Sequence, residues 1–71
     1  MKLEYYKETD SLYIDLSPKA STESQEVADG IVIDLDANGD IVGIDIQHAS
    51  EKLDLSSIEA VALPARAVKV G

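Results

Sequence analysis

The chain reads as an α+β domain, an antiparallel sheet of about four or five strands with a short C-terminal helix, and three features of the sequence predict it. Residues 2–6, 11–17 and 31–46 alternate apolar and polar side chains with the period of two that belongs to strands. The turn-forming dipeptides Asp29-Gly30 and Asn38-Gly39 punctuate those runs. Beyond residue 54 the apolar spacing lengthens toward that of a helix.

The first strand is the alternating run 2–6, and the polar residues 7–10 read as the turn after it. In the second, Leu12, Ile14 and Leu16 fall on one side, with Tyr13 and Asp15 on the other. Pro18 ends that strand, because a proline cannot donate to the ladder. Residues 19–25 are polar, have little to bury and read as a loop. Residues 26–28 add a short extended piece before Asp29-Gly30.

The most informative stretch is 31–46, IVIDLDANGDIVGIDI. Asn38 and Gly39 both tolerate positive φ, which a two-residue hairpin turn demands. With the turn there, Leu35 pairs with Val42, Ile33 with Ile44 and Ile31 with Ile46, so each aliphatic on one face meets another. The opposite face collects Val32, Asp34, Asp36, Ile41, Gly43 and Asp45. Any chemistry is expected on that acidic face.

After the hairpin, Ser56 and Glu59 have the spacing of a capping box, and Leu55, Ile58, Val61 and Ala62 recur at helical intervals. Pro64 limits this helix, although residues 60–63 equally fit an extended chain. Residues 65–70 alternate as a terminal strand or ordered tail would.

With 71 residues the chain is expected to form a single domain, 1–71. A chain this short buries only about 60% of the surface it exposes when unfolded. It has no cysteine, so disulfides cannot reinforce it, and a homodimer is the expected remedy for a small core and open sheet edges. The net charge of -8, with six Lys plus Arg, repels phosphate and argues against nucleic acid or an anionic membrane as partner. A basic protein or a cation is the natural complement. No signal-like leader or membrane-spanning apolar run is present, which makes the cytoplasm the expected compartment.

Asp34, Asp36 and Asp45 are the candidate metal ligands. From Asp34 to Asp45 the chain also fits the template of a calcium loop, with oxygens at positions one, three and five, Gly39 at six and a carboxylate at twelve. The flanks alternate with period two instead of helically, however, and the same residues cannot both pair as a hairpin and wrap an ion. On the hairpin, Asp34 lies diagonally across from Asp45, and Tyr13 and Asp15 extend the polar face if 11–17 joins the same sheet. No catalytic residue is assigned and no cofactor is expected. His48 is the one histidine, no serine sits in a nucleophile elbow, and Tyr5, Tyr6 and Tyr13 suit core edges or interfaces.

The segments YYKETDSLYIDL and ADGIVIDLDANGDIVGIDIQHAS resemble the small bacterial and archaeal proteins grouped as domain of unknown function 2283. The resemblance rests on Tyr5, Tyr6, Asp10, Leu12, Tyr13 and Ile14. It continues through Asp34, Asp36, Gly39, Gly43, Ile44, Asp45, Ile46, Ala49 and Ser50, with Asp45 standing where Glu is common. It implies a compact, mainly antiparallel fold and no known activity. By analogy with small two-gene modules, it also suggests an antitoxin-like partner of a basic protein. The expected function is therefore a non-enzymatic protein-binding or regulatory module. A divalent-metal or small-ligand binder using the acidic hairpin face, and a structural homo-oligomer, are the alternatives.

Overall fold

A computed structural model describes residues 1–64, and the tail expected at 65–70 lies outside them. The strands are β1 (Lys2–Tyr6), β2 (Ser11–Asp15), β3 (Glu23–Ala28), β4 (Ile31–Leu35) and β5 (Ile41–Gln47), followed by the helix α1 (Ala49–Lys52). They form one sheet in the order β1-β2-β5-β4-β3, with every neighbouring pair antiparallel. β5, the last strand of the described residues, thus lies at the centre. Two hairpins, β1-β2 and β3-β4, flank it.

Register follows the aliphatic pattern. Ile31 pairs with Ile46 and Ile33 with Ile44, as the alternation predicts, and Leu12 and Ile14 of β2 meet the same two β5 residues from the other side. Since cross-strand partners share a face, one row runs Leu3, Ile14, Ile44, Ile33, Gln25 and a second Tyr5, Leu12, Ile46, Ile31, Ala28. Neither row carries a charge. Among the described residues the one further element of regular structure is α1, four residues long and too short to roof this face. Leu12, Leu35, Val42 and Ala49 are the buried apolar ones among the described residues.

The hairpin turn is longer than expected. Gly39 N–H donates to the Asp36 carbonyl at 3.0 Å and Asp36 N–H to the Asp40 carbonyl at 2.9 Å, which closes a three-residue loop. Only Gly39, at φ 84°, takes the left-handed conformation there, whereas a two-residue turn would require Asn38 to take it too. Leu35 consequently pairs with Ile41 instead of Val42, and Val42 becomes the extra residue of a β-bulge. It still points into the core, 3% exposed. The Asp36 carboxylate gives the physical reason, since it gathers the backbone of the longer loop and is itself only 7% exposed. Its expected place on the open acidic face is therefore corrected.

Two further expectations change. β3 begins at Glu23, inside the polar stretch read as a loop, because an edge strand exposed along its whole length needs no apolar alternation. The helix lies at Ala49–Lys52, before the Ser56–Glu59 spacing that predicts one. Ser56 donates both its N–H and its hydroxyl to the Asp54 carboxylate, which holds Asp54 below the usual carboxylate range. That local turn replaces the helix start.

Tertiary hydrogen bonds fix α1 at the end of the sheet. Ala49 N–H donates to the Asp10 carbonyl at 2.9 Å, and the Ser50 hydroxyl donates to the Asp10 carboxylate at 2.7 Å. Lys52 Nζ reaches the Asp29 carbonyl at 2.8 Å. Asp10 also accepts from the Tyr5 hydroxyl, and the Ser50 and Tyr5 hydrogen bonds keep its carboxyl below the ordinary range. No helix of the described residues is long and apolar enough to cross a membrane.

Candidate functional site

Alternation places the other face of the sheet opposite the aliphatic rows. Lys2, Glu4 and Tyr6 of β1, Ser11, Tyr13 and Asp15 of β2, Gly43, Asp45 and Gln47 of β5, and Asp34 of β4 share it. β2 does join the hairpin, so Tyr13 and Asp15 extend the polar face as the sequence suggests.

Tyr13 organises the centre. Its ring crosses Gly43, and its hydroxyl donates to Asp34 Oδ2 at 2.8 Å, spanning β2, β5 and β4 with one side chain. The Ser24 hydroxyl of β3 donates to the other Asp34 oxygen at 2.7 Å. The hydrogen bond to Asp34, then burial and the nearby charges of Asp34, Asp15 and Asp45, push the Tyr13 hydroxyl up to about 12. A tyrosine so held is a neutral donor at physiological pH and a poor proton-transfer group.

The sign of that shift sets a pH dependence. A folded-state value above the unfolded value of about 10 stabilises the fold below pH ~10. The contribution disappears as pH rises through about 12. Tyr13→Phe is expected to lower stability at neutral pH by about 1 to 2 kcal/mol, the worth of a part-buried hydrogen bond to a charged acceptor. Urea midpoints followed from neutral to alkaline pH should converge for the two proteins. A weaker alkaline loss persists in both from Tyr5 and Tyr6, whose hydroxyls also donate to carboxylates and are also raised.

Beside Tyr13 the face dips into a shallow open hollow of about 670 Å³, lined by Tyr6, Thr9, Ser11, Tyr13, Asp45, Gln47 and His48. Tyr6 is 47% exposed, and its hydroxyl donates to Glu4 at 3.1 Å. Asp45, adjacent to Tyr13 in the register, has no hydrogen-bonded or ionic side-chain partner among the described residues. His48, turned by a left-handed φ of 53°, sits at the rim with Nδ1 3.8 Å from Glu51. The arrangement offers two aromatic rings and a carboxylate to a cation.

The three candidate metal ligands occupy different settings. Asp34 and Asp45 lie diagonally across β4 and β5, as the hairpin predicts, but Asp34 is engaged by Tyr13 and Ser24. Asp36 serves the turn, with Oδ2 3.9 Å from Lys19 Nζ. Among the described residues no group of three or more His, Cys, Asp or Glu side chains stands where it could hold a metal. The sequence alone does not single out Tyr6, Ser11, Gln47 and His48 as site residues. The signal for the first three is that they share the parity of Tyr13 and Asp45, a fact that has spatial meaning only once β2 is known to pair with β5.

Several residues of the motif now have structural roles. Asp10, Ala49 and Ser50 bind α1 to the first hairpin, Tyr13, Asp34 and Gly43 clasp three strands, and Asp36 with Gly39 shapes the central turn. Neither the curated proteins nor the solved structures gave a match to the chain. The family model described as "Protein of unknown function (DUF2283)" matches residues 2–50, the whole sheet together with the first residues of α1, and the chain belongs to that family.

Proposed function

We propose that the protein is a non-enzymatic binding module whose acidic face receives a basic segment of another protein. The observation that carries this reading is the hollow in which Asp45, free of side-chain partners among the described residues, stands with Tyr6 and Tyr13. An arginine or lysine entering it would meet aromatic rings and a carboxylate together, the combination that favours a cation over a neutral side chain. The net charge of -8 would steer such a partner in, and Asp15 would widen its landing area, while Glu4 is held by Lys2 at 3.5 Å and by the Tyr6 hydroxyl. In a prokaryotic cytoplasm this is the role of a regulatory or antitoxin-like partner of a basic protein. Support for a non-enzymatic role comes from Tyr13, Asp34 and Asp36, whose polar groups are engaged in holding the sheet and its turn.

Titration with an arginine-rich peptide, followed by amide chemical shifts, tests the reading. Saturable shifts are expected around Ser11, Tyr13, Asp45 and Gln47, with affinity falling as salt is added. Asp45→Lys should weaken binding by about tenfold or more. Shifts spread evenly over all carboxylates would overturn the proposal. A melting temperature raised by calcium or magnesium beyond matched ionic strength, without peptide binding, would put a metal-binding role in its place.

A further inference from the structure

We infer that a second copy of this chain covers the aliphatic face, the two sheets packing face to face while residues 53–64 of each chain extend the contact onto the other. The sheet and the C-terminal segment support this independently. On the sheet, Leu3 and Tyr5 are 46% and 47% exposed, the central isoleucines are only half-buried, and the four-residue α1 is the one further regular element among the described residues. In the segment, Ile58, Val61 and Leu63 are 78%, 77% and 51% exposed. One chain therefore presents two unsatisfied apolar surfaces.

Charge selects the occupant. Each copy carries a net charge of -8, so two copies repel over most approaches. Glu4, Asp15, Asp34 and Asp45 all lie on the polar face, whereas both aliphatic rows are uncharged. Turning the aliphatic faces together directs these carboxylates outward and leaves them hydrated. On this side the one strand carboxylate is Glu23, at the end of the edge strand β3 beside Gln25, so a basic partner would gain far more on the other face. The acidic hollow stays open in such a dimer, so failure of peptide binding and failure of dimerisation are separate results.

Area explains why the C-terminal segment takes part. Five strands about 4.8 Å apart, each about five residues long, project to roughly 24 by 17 Å, or on the order of 400 Å². A standard interface takes about 800 Å² from each partner. The exposed aliphatics of 53–64 are the apolar surface available among the described residues to make up the balance.

Sedimentation of the full chain at micromolar concentration should give twice its 7.6 kDa mass. The double variant Ile58→Asp with Val61→Asp alters side chains that a single copy leaves in water, so its far-UV circular dichroism should match the parent. Its dimer dissociation constant should rise about hundredfold or more. On the sheet itself, Leu3→Asp alters an aliphatic-face side chain that a single copy leaves 46% exposed, and it should weaken dimerisation about tenfold or more. A monomeric parent, or either variant dimerising as tightly as the parent, would overturn the inference.

Discussion

Gly43→Ala is expected to destabilise the sheet by about 2 kcal/mol, although its backbone is one that alanine can adopt. Gly43 is not among the residues of positive φ, so the cost is steric. A Cβ built there runs into the Tyr13 hydroxyl and comes within 2.6 Å of the ring carbon that bears it. The ring must lift away, and in doing so it loses Asp34 and the cover it gives the middle of the sheet. Two measurements separate this from a general weakening of the strand. The highest tyrosine titration should fall from about 12 toward the free value, because it is the hydrogen bond to Asp34 that raises it most. In a double-mutant cycle, Tyr13→Ala should remove most of the cost of Gly43→Ala, with a coupling of about 1 kcal/mol or more. Simple additivity would show that the glycine does not exist for the ring.

That clasp marks the limit of what is legible in the sequence. The strands of the central hairpin and the pairing of Ile33 with Ile44 follow from alternation, because a one-residue slip would turn every isoleucine toward water. The clasp itself depends on β2 lying against β5, a pairing between segments some thirty residues apart that no local periodicity encodes. Once that pairing is known, Gly43 lies opposite Asp34 and diagonal to Tyr13, so the ring can reach over the glycine to the carboxylate. The position of the helix escapes local periodicity for a similar reason. Residues 49–52 are too few to show a helical period and are held through Asp10, whereas Ser56 and Glu59 have the right spacing but Asp54 takes the Ser56 donors first. The hollow combines both difficulties, since its walls come from three strands and from the turn at His48.

Asp36→Ala is expected to cost about 2 to 3 kcal/mol, and Asp36→Asn much less, because the residue acts through one oxygen and not through its charge. Oδ1 accepts the N–H groups of Asn38 and Asp40 at 2.9 and 3.0 Å, and alanine would leave both without that acceptor inside a tight loop. Oδ2 is buried without a hydrogen bond, and its nearest cation, Lys19 Nζ, lies 3.9 Å away on a side chain that is 61% exposed. So distant and hydrated a partner returns little of the cost of burying a carboxylate. Asparagine keeps the acceptor and replaces the orphaned charged oxygen with a neutral amide, a smaller desolvation penalty. Thermal midpoints of the three proteins at neutral pH should therefore rank parent and Asn close together with Ala well below. Equal losses in Asn and Ala would instead make the Lys19 ion pair the stabilising element, and Lys19→Met would then have to reproduce them.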